Sequence, residues 1–69
     1  MRRIKDLIKR YNKEVTIYDK STKYNTVLFT GTAFDALYKY GDCIYVNYEK
    51  YDDGIDIFIY STIKKNGLN

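Results

Sequence analysis

The sequence predicts a small α+β domain in which two helices pack on one face of a four-stranded antiparallel sheet. Three observations lead to this fold class. The chain has 69 residues, of which 45% are hydrophobic and 30% charged, a composition typical of one globular domain with a two-layer core. Two segments place apolar residues at helical spacing, and four others have the composition or alternation of strands. The predicted order is α-β-β-α-β-β within one domain, residues 1–69.

The first half of the chain is predicted to form a helix followed by a hairpin. Residues 2–11 carry one apolar stripe at i, i+3, i+4 and i+7, made of Ile4, Leu7, Ile8 and Tyr11. Asn12 is the expected left-handed or turn residue at the end of this helix. Residues 14–19 alternate as a strand, residues 19–22 have turn chemistry, and residues 24–30 are rich in β-forming side chains. The two runs predict an antiparallel hairpin.

A second helix is predicted over residues 32–40. Thr32 is its expected N-cap, with Asp35 at the third helical position, and Gly41 is its expected C′ residue. The expected inner face consists of Ala33, Ala36, Leu37 and Tyr40.

The second hairpin is predicted from residues 43–49 and 55–60, which flank the turn at residues 51–54. Ile55, Ile57 and Ile59 share one face of the last strand, and Asp56, Phe58 and Tyr60 share the other. We expect Ile44, Val46 and Tyr48 to join the isoleucines in the core. The opposite phase remains open, because Cys43 and Tyr45 also suit a core.

The composition excludes several kinds of chemistry. The chain contains no His and only one Cys, Cys43. This composition excludes imidazole-based catalysis, a catalytic Cys–His pair and a structural zinc site. Cys43 fits a small buried hydrophobe, with a reactive or intermolecular thiol as the alternative. Asp52, Asp53 and Asp56 lack the continuation of a calcium loop and predict a solvated turn. We expect no enzyme activity, no cofactor and no metal.

Localisation is predicted from what the chain does not carry. Neither a signal peptide nor an apolar run long enough to span a membrane is visible in the sequence. We expect a cytoplasmic protein with no membrane contact.

Charge is distributed unevenly along the chain. Residues 1–23 carry eight Lys or Arg and three acids, whereas residues 24–60 carry two Lys and six acids. This asymmetry fits either two ordinary solvated faces or a bipolar surface that attracts a charged partner.

The chain is unusually rich in aromatic residues, with nine Tyr and three Phe. This is more than the core of so small a domain can hold. On the predicted pattern, Tyr18, Tyr45, Phe58 and Tyr60 lie opposite the aliphatic face. Three interpretations remain open: aromatic pairing within the domain, a protein interface that includes homodimerisation through the open sheet face, and base stacking. The surrounding acids disfavour stacking on nucleic acid.

Three segments carry a resemblance to known proteins: Ile4–Tyr11, Val15–Asp19 and Leu28–Ala33. In these segments, and because Lys, Asn, Ile, Tyr, Phe and Met together make up half of the chain, the sequence resembles short phage and mobile-element proteins of AT-rich Gram-positive bacteria. Such proteins include inhibitors of bacterial defence, among them anti-CRISPR proteins. The resemblance implies an anti-defence role inside the bacterial host and assigns no functional residue.

The leading hypothesis is a non-enzymatic module that binds and inhibits a host defence or regulatory protein, in particular a nucleic-acid-binding effector. The predicted contact residues are Tyr45, Phe58, Tyr60, Asp52, Asp53 and Asp56. The alternative is a nucleic-acid-binding protein that uses its basic first helix through Arg2, Arg3, Lys5, Lys9 and Arg10, joined by Lys64 and Lys65 if the tail folds nearby. A third hypothesis is a structural subunit of a homomeric assembly.

Overall fold

The computed structural model describes residues 2–21 and 23–60, which form two helices and a four-stranded mixed sheet. The elements in chain order are α1 (Ile4–Ile8), β1 (Glu14–Asp19), β2 (Thr26–Gly31), α2 (Ala33–Tyr40), β3 (Asn47–Lys50) and β4 (Gly54–Ile59). The predicted α+β class and the order of the elements are confirmed. The predicted frayed tail at residues 61–69, including Lys64 and Lys65, lies outside the described residues, as does Thr22 of the predicted turn.

The sheet has the strand order β2-β1-β4-β3, and its two central strands are parallel. The prediction of a wholly antiparallel sheet is therefore wrong for the β1–β4 pair, although both hairpins are antiparallel as expected. The chain from β1 to β4 includes β2, α2 and β3, which is long enough for the crossover that parallel strands require. Val15 lies opposite Ile55, and Ile17 lies opposite Ile57. This register brings the aliphatic sides of the two strands together.

The core lies between one face of the sheet and the two helices. Its buried members are Ile4, Ile8, Val15, Ile17, Ala33, Ala36, Ile55, Ile57 and Ile59. Both helices contribute to this single cluster, so both cover the same face of the sheet. Leu37 and Tyr40, on the predicted inner face of α2, are partly buried against the cluster. The other face of the sheet carries no described helix.

The first helix is shorter than predicted. It covers Ile4–Ile8 rather than residues 2–11, and the Tyr11 N–H donates to the Ile8 carbonyl in the turn that follows. Of the two alternatives for Asn12, the left-handed conformation is wrong, because no residue in the described ranges has a positive φ; Asn12 lies in the irregular connection after the turn at Lys9 and Arg10. The N–H groups of Ile4 and Lys5 donate to the carbonyls of Cys43 and Gly41, which satisfies helix donors that a side-chain cap would otherwise bind.

The second helix is capped at its start as predicted. The Thr32 hydroxyl accepts a hydrogen bond from the Asp35 N–H at 3.2 Å. Gly41 lies at the C-cap with φ −55°, so it is right-handed and not the left-handed C′ residue expected. A Cβ at Gly41 would collide with the Leu37 carbonyl oxygen, and this close approach explains the glycine.

The third strand is shorter than predicted, and residues 43–46 have the opposite phase. The Tyr45 N–H donates to the Arg2 carbonyl and Ile44 bridges Arg3, because the residues around the start of α1 pair with this segment. Cys43 and Tyr45 consequently pack against the core. Ile44, Val46 and Tyr48 remain between 43% and 45% exposed, so the expectation that they join the core is wrong.

Ile57→Val should lower the free energy of unfolding by about 0.5–1.5 kcal/mol, because Ile57 is fully buried on a central strand. The measurement is equilibrium urea denaturation followed by circular dichroism. Val27→Ala on the edge strand β2 is the control: Val27 is 54% exposed, so its change should be about 0.5 kcal/mol or less. Equal losses in the two variants would contradict the assignment of the core.

Candidate protein-binding face

The sheet face away from both helices carries the outward side chains of all four strands. We call this surface the open face, and by strand register it comprises Glu14, Thr16, Tyr18, Val27, Thr30, Asn47, Glu49, Asp56 and Phe58. The face follows from alternation, since the neighbouring residues Val15, Ile17, Ile55 and Ile57 point into the core. Its residues fall into two rows that cross the strands.

One row is aromatic. The rings of Tyr18 and Phe58 stack across the central strand pair, with centroids 5.2 Å apart and planes 18° from parallel. Lys20 places its Nζ 5.6 Å from the Phe58 ring centroid, a distance at which the ring attracts a cation. The exposed Val27 extends the row on β2, and Tyr60, directly after β4, is 47% exposed. The row offers a flat apolar surface with few side-chain rotors to immobilise on binding.

The neighbouring row is acidic. Glu49 lies opposite Asp56 on the β3–β4 pair, and the two like charges would repel each other across the strands. The Tyr51 hydroxyl lies 3.0 Å from a carboxylate oxygen of each, so its single proton is shared between the two acceptors. Hydrogen bonding to Glu49 makes the largest contribution and hydrogen bonding to Asp56 the next largest, and together they raise the pKa of Tyr51 well above its usual value. Tyr51 therefore keeps its proton and holds two negative charges beside the aromatic row.

The structure places the predicted contact residues in three different settings. Asp56 and Phe58 lie on the open face, with Tyr60 exposed just beyond it. Tyr45 was predicted to share this face and does not, because it packs against the core with its ring 5.8 Å from that of Tyr48.

Asp52 and Asp53 are exposed in the β3–β4 turn, where the Tyr51 N–H donates to the Gly54 carbonyl. The Lys13 ammonium donates to the Asp52 carbonyl at 2.5 Å. The turn therefore lies against the connection between α1 and β1.

Sequence reasoning missed Glu49 and Tyr51 as members of this surface. The signal was present in the alternation, because Glu49 stands two residues from Asn47 on the outward side of β3. Tyr51 follows β3 directly, and its hydroxyl reaches back over the strand pair to Asp56. That contact depends on the hairpin register, which spacing along one strand does not give.

The basic residues of the first helix lie in a separate part of the molecule. Arg3 donates to the Asp42 carbonyl at 2.6 Å, and Lys5 forms an ion pair with the Asp42 carboxylate at 3.3 Å. Lys9 and Arg10 are exposed and, together with Lys50, line a groove beside Tyr11. Of the cations predicted to bind nucleic acid, Arg3 and Lys5 therefore already contact an acidic residue, while Arg2 is exposed without a described side-chain partner.

A second groove of about 490 Å³ lies between the α1–β1 connection and the start of α2, and Tyr11 borders both grooves. Its hydroxyl is buried and has no partner among the described residues. Burial and the nearby Asp53 carboxylate raise the pKa of Tyr11. The two grooves carry charged residues of both signs: Lys13 and Glu14 line the larger one, and Asp6, Lys9, Arg10 and Lys50 line the other.

Comparison of the chain with protein-family models, with curated proteins and with solved structures finds no match. Among residues 2–21 and 23–60, no helix is long and apolar enough to cross a membrane. The same residues contain no group of three or more His, Cys, Asp or Glu side chains arranged to hold a metal ion. The chemistry of the exposed surfaces is therefore the basis for assigning a function.

Replacing both carboxylates that accept from Tyr51, in Glu49→Gln/Asp56→Asn, should lower the pKa of the Tyr51 hydroxyl toward its ordinary value of 10.0. The reason is that the variant removes the two charges that favour the protonated hydroxyl. The measurement is an NMR titration of the tyrosine ring carbons. An unchanged Tyr51 titration would show that its hydroxyl does not bind these carboxylates in solution.

The same contacts make folding stability depend on alkaline pH. A pKa raised in the folded state contributes stability that is fully present below the unfolded value of 10.0 and is lost as pH rises through the folded value. Glu49→Gln/Asp56→Asn should therefore show a shallower loss of stability above pH 10 than the unmodified protein, as measured by urea denaturation across that range.

Proposed function

We propose that this protein is a non-enzymatic protein-binding module whose open face binds a basic surface on a bacterial protein. The observation that carries the proposal is the stacked Tyr18–Phe58 pair beside the Glu49–Asp56 pair, on the side of the sheet that no described helix covers. Aromatic anchors flanked by charge are typical of residues that dominate binding energy in interfaces. The acids favour a basic partner and give attraction at long range.

The resemblance of the sequence to small phage and mobile-element proteins suggests the class of partner. A host defence or regulatory protein that binds nucleic acid has a basic channel, and such a channel complements the open face in charge. Carboxylates such as Glu49 and Asp56 would take the place of phosphates there, while Tyr60 and the aromatic row contact apolar side chains. Occupation of the channel would exclude the natural ligand, which is a mode of inhibition that needs no catalytic residue.

Nucleic-acid binding through α1 is the runner-up, and the same experiment separates it from the proposal. Arg3 and Lys5 contact Asp42, so a phosphate backbone would have to compete with that acid for them. Such binding should also fall steeply with salt because counterions are released. A partner retained only through nucleic acid would be lost when the nucleic acid is digested.

The test is affinity capture by the tagged, full-length protein from nuclease-treated and untreated halves of one lysate of an AT-rich Gram-positive bacterium, with two variants in parallel. Glu49→Gln/Tyr60→Ala removes one carboxylate and one exposed ring from the acidic and aromatic surface. Asp6→Asn/Tyr24→Ala makes the same chemical change at two exposed residues outside the open face, one on α1 and one in the β1–β2 connection.

We expect one basic protein to be captured by the unmodified chain and by the Asp6→Asn/Tyr24→Ala variant, and to be lost with the open-face variant. With the purified partner, the open-face variant should weaken binding at least about tenfold, because an exposed aromatic anchor and a complementary charge are both removed. Nucleic acid added to the purified partner should compete with this protein for binding. Equal capture by both variants, or loss of capture on nuclease treatment alone, would contradict the proposal.

A further inference from the structure

The solvent side of α2 carries two aromatic side chains that the fold leaves uncovered. Phe34 is 79% exposed and Tyr38 is 85% exposed. They stand four residues apart and so lie on one stripe of the helix. Ala33 and Ala36 face the core from the other side of α2. An exposed aromatic pair of this kind is typical of an interaction surface.

A charged stripe runs beside the aromatic one. Asp35 and Lys39 are also four residues apart and exposed, and at about 100° per residue they lie next to Phe34 and Tyr38. They form no ion pair with each other, and the Lys39 ammonium lies 5.9 Å from the Phe29 ring centroid instead. The two ends of each stripe therefore differ: the aromatic stripe has Phe34 at one end and Tyr38 at the other, and the charged stripe has the Asp35 carboxylate at one end and the Lys39 ammonium at the other.

This arrangement is complementary to itself when a second copy of the helix packs against it in the antiparallel direction. Consider a two-fold axis that lies in the plane between the two helices and runs perpendicular to both near their midpoints. The aromatic stripe then faces the aromatic stripe of the second copy, and the charged stripe faces the charged stripe, but the second helix runs in the opposite direction. Phe34 then meets Tyr38 of the second copy, and Asp35 meets Lys39 of the second copy. A parallel two-fold arrangement would instead place the charged stripe of each copy against the aromatic stripe of the other, so that Asp35 and Lys39 would gain no contact of opposite charge.

We propose that the protein forms a two-fold symmetric homodimer through the solvent side of α2. The charge pattern selects a second copy as the occupant of this surface, because the antiparallel pairing forms two opposite-charge contacts from one sequence. The helix has eight residues, or roughly 12 Å at 1.5 Å per residue, so it buries less than the roughly 1,200 Å² of a standard interface. The dimer is consequently weak and depends on protein concentration.

The test is sedimentation velocity of the full chain over a range of concentrations. The unmodified protein should show a concentration-dependent shift from monomer to dimer. Asp35→Lys should raise the dissociation constant about tenfold, because both symmetry-related attractive contacts become repulsive. Lys39→Asp should do the same. The double variant Asp35→Lys/Lys39→Asp should return the dissociation constant to within about threefold of the original, since opposite charges face each other again.

The matched control is Asp6→Lys, which makes the same charge reversal at an exposed residue of α1 and should leave the dissociation constant unchanged. The double variant also controls for folding, because it contains the same Asp35→Lys change near the start of α2. A monomer at every concentration would overturn the proposal. So would a failure of the double variant to restore the dimer, or a dimer weakened by the open-face variant Glu49→Gln/Tyr60→Ala instead.

Discussion

The rest of the structure depends on the parallel pairing of β1 with β4. Val15 and Ile17 meet Ile55 and Ile57 across this pair, and all four side chains are buried. Each hairpin alone would expose its aliphatic side to water, and a two-stranded hairpin is marginal in water. Joining the hairpins through their inner strands makes one apolar surface that Ile4, Ile8, Ala33 and Ala36 cover from above. The burial of these side chains drives the packing of the helices on the sheet, because without the β1–β4 pair the helices would have no continuous apolar surface to pack against.

The same pairing determines the chemistry of the opposite side of the sheet. Since neighbouring residues on a strand point to opposite faces, the register that buries Ile17 against Ile57 places Tyr18 against Phe58 on the outside. The register of β3 then sets Glu49 against Asp56, and the Tyr51 hydroxyl binds both. A shift of one residue would exchange the two faces completely. The strand register that forms the proposed binding face therefore cannot shift without exposing the side chains of the core.

Local features of the fold were predictable from the sequence, and long-range ones were not. The bounds of β1 and the Thr32 cap follow from alternation and capping chemistry, which depend on neighbouring residues. The parallel β1–β4 pair was missed because a single strand carries no signal for the direction of its partner. The phase of Cys43 and Tyr45 was left open because it is decided by hydrogen bonds to residues near the start of α1, about 40 positions away in the chain. Of the predicted binding residues, Asp56 and Phe58 shared a face by simple alternation, whereas Tyr45 depended on this distant contact.

The layered fold also separates the two surfaces assigned to binding. The open face lies on one side of the sheet, and Phe34 and Tyr38 lie on the far side of α2, with the core between them. A dimer formed through α2 would therefore leave both open faces uncovered and directed away from each other. Such a dimer could bind two copies of a partner, or two sites on an oligomeric one, and the second contact would form at a raised effective concentration. A weak self-association through eight residues of helix would then strengthen binding to such a partner without any change to the open face itself.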